Sequence, residues 1–324
     1  MARYLLSRAG QAVFVIWAAF TISFVVLFAL PSDPVAVMAG PNSSLTPAEL
    51  DAMRADLGLD RPVTEQYVSR LGALLQGDLG RSIQSREEVS HLMGEALPQT
   101  AQITGAGLGL GLLLGTALAV GASLVRWRWL QQMLMSLPPL GVSLPSYWVG
   151  LLLLQQFSFR WHVFPAIGNE GIESMVLPAL TLALPAGALI AQLLSKSLQS
   201  ELLEGYVETA RAKGVRRPVV HVRHALRNAV LPALTMVGLL VGGMLSGSVV
   251  VETVFSRDGL GRLTTQAVSG QDLPLVQGLV LLGATVFAVV NLLVDLLYPV
   301  IDPRIAREGR RPRPTAPAAV GATV

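Results

Sequence analysis

Apolar residues along this chain fall into six long blocks rather than short alternating runs, roughly at 11–30, 99–123, 132–157, 176–195, 231–251 and 276–294. Each block is nearly free of Asp, Glu, Lys and Arg. A helix needs about 20 apolar residues to cross about 30 Å of hydrocarbon. Each block therefore predicts a membrane span, and the expected fold class is an all-α membrane protein with about six transmembrane helices. Pro138, Pro139 and Pro145 interrupt the third block, and Pro178 and Pro185 the fourth. Such breaks are tolerated where neighbouring helices satisfy the freed carbonyls, which places both spans inside a bundle. The fifth carries Gly238, Gly242, Gly243, Ser246, Gly247 and Ser248. Small residues at that density signal close helix packing, or a wall that lets a solute pass.

Arg3 and Arg8 precede the first block like the charged start of a signal peptide. Its apolar run is too long for a signal core, and no small-x-small site follows directly, so a retained helix is expected.

The connections between blocks carry patterns of their own. In 31–98, Thr46-Pro47-Ala48-Glu49 reads as a capping box with proline at the first helical position, and Gly58 sits where that helix should stop. Pro62 to Leu75 spaces Val63, Tyr67, Leu71 and Leu74 as a helical stripe. Ser85-Arg86-Glu87-Glu88 reads as a second capping box, opening a helix that runs into the second span. Such a subdomain is a docking or lid element, or a cap over the ends of the bundle. In the connection 196–230, a helical pattern starts near Ser200 and is interrupted at Gly214, and another starts at Pro218. The second pattern puts Val219, Val222 and Leu226 on one face and Arg223 and Arg227 on another. Two short helices bent at a glycine make a knuckle projecting from the membrane, suited to protein docking; contact with anionic lipid is the plainer reading. The stretch from Glu308 to Val324 has no apolar periodicity and is expected to be disordered.

Composition supports the bilayer as solvent. Of 324 residues, 52% are hydrophobic and 14% charged, and mean hydropathy is +0.55; soluble chains carry about 25% charged residues. The cations fix an orientation. With the N-terminus inside, the inner segments hold 16 Lys and Arg and the outer segments 8, five of them in 31–98. Long loops count weakly in this rule, so both termini are expected to be cytoplasmic. The resulting division is 1–30 as N-terminal region and first span, 31–98 as an extracytoplasmic helical loop, 99–303 as a five-helix core containing the cytoplasmic loop 196–230, and 304–324 as a cytoplasmic tail.

Several chemistries are excluded. Cysteine is absent, which removes disulfides and thiolate sites. The four histidines lack zinc-site spacing. Ser195 and Ala212 precede the two lysines, Lys196 and Lys213, so no phosphate-binding loop exists and the chain is expected not to be an enzyme. Ion-coupled carriers keep ionisable groups inside the membrane. The nearest here are Glu252 and Asp295, near the ends of the fifth and sixth spans, where structural ion pairs are expected.

Glu208-Thr209-Ala210, three residues, Gly214, and later Leu231-Pro232 resemble the cytoplasmic signature of binding-protein-dependent ABC import permeases. Thr209 stands where the generic pattern has alanine, and the stretch to Leu231-Pro232 is longer. With Ala210 to Gly214 and His224-Ala225-Leu226-Arg227-Asn228, the longer form is similar to the dipeptide, oligopeptide and nickel branch. Ordered agreement runs over about residues 1–305: Leu57 to Pro62, Gly77 to Ser82, Val251 to Phe255 with Gly259-Leu260-Gly261, and Asp295 to Arg304. The set resembles the B-type subunit of a dipeptide transporter.

That resemblance implies a type I ABC importer permease forming half of a pathway for short peptides. It implies four kinds of partner: a second, homologous permease in a heterodimer, two cytoplasmic ATPase domains that use ATP and Mg, an extracytoplasmic binding protein, and the lipid bilayer; no cofactor is bound by this chain. Glu208, Thr209, Ala210, Arg211, Ala212, Lys213 and Gly214 would be the coupling element, supported by His224, Arg227 and Pro232. Gln192, Met244 and Ser248 are candidate pathway residues. Alternatives are a nickel or other small-solute importer of the same family, or a stand-alone carrier or channel.

Overall fold

A computed structural model describes residues 2–29, 46–56 and 60–301. Gly58, the Asp302-Pro303-Arg304 stretch and the expected disordered tail lie outside the described residues. The elements are α1 (Ala2–Ala29), α2 (Pro47–Asp56), α3 (Val63–Leu75), α4 (Val89–Leu124), α5 (Arg128–Ser143), α6 (Ser146–Leu153), α7 (Glu173–Glu201), α8 (Gly205–Ala212), α9 (Arg217–Val219), α10 (Leu226–Val254), α11 (Leu260–Ser269) and α12 (Leu273–Ile301). π-helical turns extend α6 over Leu154–Arg160 and join α9 to α10 over Val220–Ala225.

Among the described residues, five helices are each long and apolar enough to cross a membrane, α1, α4, α7, α10 and α12, and a bent pair makes a sixth if it is one span. The expected third span is different. It is two helices, Arg128–Ser143 and Ser146–Arg160, bent by 102° at the break before Pro145. Proline disfavours the helical conformation in the residue before it, so Leu144 leaves the helix with ψ 128°. Pro178 and Pro185, by contrast, sit inside an unbroken α7.

α7 is the centre of the bundle. Of its apolar window 67% is buried, against 17% for α1 and α12. α4 crosses it closely through Gly107, Gly111 and Gly115, one turn apart on the buried face. A Cβ at Gly115 would sit 2.5 Å from the Gly187 carbonyl oxygen, so the contact requires the absence of a side chain. Ile103, Leu177, Ile190, Leu240, Met244 and Phe255 complete the core where α4, α7 and α10 meet. The packing reading of the fifth block holds for Gly238 and Gly242, whose added Cβ atoms would strike Asn291 and Phe287 of α12, whereas Gly243 faces open space.

α1 packs along α12, and Arg8 pairs with Asp295 at 3.1 Å, the ion pair expected there. The Thr46 capping box forms, with the Thr46 amide donating to Glu49 at 2.6 Å. The second box does not. α4 starts at Val89, and Arg86 takes a positive φ of 62°, which turns the chain before the helix can begin. α3 lies against α1 through Tyr67, whose ring centroid is 5.4 and 5.3 Å from those of Phe20 and Phe24. Val63, assigned to the apolar stripe, is exposed instead.

Candidate functional site

The knuckle forms at the C-terminal ends of α4 and α7. α7 runs on to Glu201, further than the apolar block suggests, and α8 follows after a three-residue turn. α8 then stops abruptly. Gly214 has φ +77°, its amide donates to the Arg211 carbonyl at 2.9 Å, and the Val215 amide donates to that of Ala210 at 3.2 Å. This pair of bonds is a Schellman ending, which satisfies carbonyls that a helix end would leave bare. The left-handed backbone at its turn costs a side-chain-bearing residue about 1–2 kcal/mol. Glycine takes it freely, and an added Cβ there would meet nothing within 4 Å.

The turn leaves Glu208, Thr209, Arg211, Ala212, Lys213 and Gly214 exposed, with Ala210 half-buried. Beside them Leu203 is 84% exposed, a large apolar side chain offered to solvent at the tip. The element is anchored by other residues than expected. Val207 is fully buried. Tyr206 donates to Glu201 at 2.6 Å, and Asn228 donates to both Glu201 and Tyr206 at 3.3 and 3.2 Å. Burial, with the Glu201 carboxylate beside it, pushes the Tyr206 hydroxyl up to about 12, so it stays a donor. These three contacts tie α7, α8 and α10 together. Among the described residues, His224 and Arg227 make no ion pair, and Arg227 and Pro232 are exposed.

The apolar face assigned to the second knuckle helix holds for Leu226, which packs on the core, and Arg223 and Arg227 are exposed as expected, but its N-terminal part is shifted. Val220, His221 and Ala225 are buried, while Val219 and Val222 are exposed. The π turn over Val220–Ala225 inserts an extra residue into the helical count and shifts the phase. His221 thereby faces inward, its Nδ1 3.0 Å from the Ser123 hydroxyl, and Arg217 donates to the Ser123 carbonyl at 3.0 Å.

The three pathway candidates do not converge. Met244 lines an apolar groove of about 690 Å³ formed with Leu144, Pro185, Gly243, Gly247 and Phe287. Ser248 lines a separate small cavity near α11, and Gln192 is half-buried on α7 away from both.

At the opposite end of α4, Glu252 corrects the sequence reading. It is fully buried and, among the described residues, serves as a helix cap in place of the structural ion pair expected there. Its Oε2 accepts the amides of Gly261 at 2.7 Å and Arg262 at 3.2 Å, the orphan donors at the start of α11. Thr100 donates to Oε1 at 2.6 Å while accepting the Leu260 amide at 2.8 Å. A Cβ at Gly259 would fall 2.5 Å from this carboxylate, and one at Gly261 2.4 Å from Val249 Cα, so both glycines make room for it. Next to it Arg257, also fully buried, donates to Gly168, Ser174 and Gln99 and joins three segments. Burial lowers its pKa, partly offset by Glu252.

A bundle built on helices long and apolar enough to cross a bilayer defines an integral membrane protein. Residues 107–307 match the family described as binding-protein-dependent transport system inner membrane component, and residues 1–104 match its N-terminal family. The chain belongs to this family and is a multi-pass ABC importer permease subunit. A putative peptide permease protein of Brucella suis is 37% identical over 316 residues, covering 94% of this chain and 99% of that one. A glutathione transport system permease protein of Escherichia coli is 35% identical over 305 residues, with the same coverage. Among solved structures, an inward-facing methionine ABC transporter gives a TM-score of 0.49 at 18% identity, covering 68% of this chain and 97% of that one.

Proposed function

We propose that this chain forms half of a transmembrane pathway for short peptides and receives its mechanical work at α8. The relatives named for peptide and glutathione transport cover nearly the full length of both chains, which supports the substrate class. A second permease supplies the other half, an extracytoplasmic binding protein delivers solute, and two ATPase domains hydrolyse ATP. The excess of Lys and Arg in the segments that include α8 supports a cytoplasmic position for it and for both termini.

One observation carries the coupling role. Gly214 closes α8 in a left-handed turn, so a rigid charged helix with an exposed Leu203 projects beyond the bundle while Tyr206, Glu201 and Asn228 tie its base to two membrane helices. A push on α8 is thus delivered to α7 and α10 together. ATP binding closes the ATPase domains, α8 moves with them, and the helices rock to open the pathway to one side and then the other.

The test is Gly214→Val in the assembled transporter. Uptake and solute-stimulated ATP hydrolysis should both be lost while membrane insertion and assembly persist. Uptake at the wild-type rate would refute the docking role.

A further inference from the structure

Below α8 lies a cavity of about 500 Å³, walled by the C-terminal ends of α4 and α7, the N-terminal half of α5 and the α8–α9 turn. Its size is that of a site for a small organic ligand. Arg211 of α8 and Arg217 of α9 line it, together with His221, which is only 2% exposed. The remaining polar lining is neutral and includes Ser123, Gln131 and Gln199; among the described residues no carboxylate lines it. Neither arginine makes an ion pair with any described residue. Two guanidinium groups and an imidazole thus converge on a concave space without a counter-charge, and low-dielectric walls focus such a field.

We propose that this cavity is a binding site for a phosphate group, held by Arg211 and Arg217 with His221 at its floor. Paired guanidinium groups match the oxygens of a phosphate by charge and by their fork geometry. Burial and the two arginines all lower the pKa of His221. Nδ1 is engaged by Ser123, which leaves Nε2 for the ligand. The group comes either from a soluble phosphate compound or from a lipid headgroup, since the cavity sits where the apolar windows of α4 and α7 end. Because Arg211 rides on α8 and Arg217 on the helix leading into α10, an anion between them fastens the knuckle to the bundle. The inference is independent of which solute the transporter carries.

The full chain, labelled at histidine, is placed in nanodiscs of phosphatidylcholine and titrated with inorganic phosphate, with chloride as the control. A second preparation contains phosphatidylglycerol in place of added phosphate. The readout is the imidazole resonance of His221, one of four histidines. A saturable shift with inorganic phosphate assigns a soluble ligand, and a shift with phosphatidylglycerol alone assigns a headgroup. In either case Arg211→Gln should weaken the apparent affinity by about tenfold or more, the loss of one charge-assisted contact. Among the described residues the Arg211 side chain makes no hydrogen bond that folding would miss, and Arg217→Gln serves as the second variant. No shift in either preparation, or shifts that survive in both variants, would overturn the assignment.

Discussion

The two ends of α4 solve the same problem, how to keep charge at the edge of a bilayer, in opposite ways. At the Glu252 end, charge is buried and immobilised. The carboxylate accepts two backbone amides and a hydroxyl, Arg257 joins three segments, and Asp272 accepts from Ser82 at the start of α12. At the Gly214 end, charge is exposed and, among the described residues, makes no ion pair. Glu208 and Arg211 on the eight-residue α8, and Lys213 at its C-cap, reach solvent, and three side-chain contacts at its base join it to the bundle. The first arrangement resists movement because each shift would strand a buried polar group. The second leaves its solvent face open to contact while its base is tied to α7 and α10. One end is built to hold the helices in register, and the other is the end at which we propose work is received.

The contrast is sharpest in stability. Glu252→Leu should cost about 3–5 kcal/mol, because it strands two helix-start amides and leaves Arg257 without its nearby carboxylate. Glu208→Ala, on the exposed helix, should change stability by no more than about 0.5 kcal/mol. Thermal unfolding of the two purified variants in detergent measures both, and similar losses would break the comparison.

The glycines give a smaller separation. Gly261→Ala drives a methyl into the Val249 backbone and the Glu252 carboxylate, where neither can retreat, and should cost about 1–3 kcal/mol. Gly214→Ala meets open space and bears only the cost of its backbone conformation, about 1 kcal/mol. The same unfolding measurement ranks them.

The smallest effect is a pH dependence at the Gly214 end. His221 is surrounded by Arg217 on its own helix, Arg211 on α8, and neutral Ser123, Gln131 and Gln199 from α4, α5 and α7. Its pKa in the folded protein lies below the ordinary value, so the unfolded chain takes up a proton first as pH falls. Stability is then full above about pH 6.5 and declines below it. Arg217→Gln should raise the His221 pKa and flatten that decline, as read from an imidazole titration; an unchanged pKa would remove the electrostatic account.

What was legible in the sequence followed from period and length. Five apolar blocks became spanning helices because nothing in them competes with the helix, and Gly214 was readable as a break because its neighbours are strong helix formers. The Arg8–Asp295 partner and the cap made by Glu252 were not readable. Each depends on residues brought together from distant segments, as Thr100 and Glu252 are across 152 positions. Tyr206 and Asn228 carried no local signal for the same reason. Two misreadings were local instead. Proline at 145 broke the third block as expected, whereas Pro178 and Pro185 did not interrupt the fourth, which forms one continuous helix packed on its neighbours. The π turn at Val220 moved the buried face by one position, which a 3.6-residue period cannot anticipate.

The claim that α8 is the driven end can be tested by contact. The chain has no cysteine, so a single one can be placed at Glu208 or, at the other end, at Gln266 of α11. In the assembled transporter, a short thiol cross-linker should join position 208 to an ATPase domain and leave position 266 free of it. An ATPase cross-link at 266 and none at 208 would contradict the account.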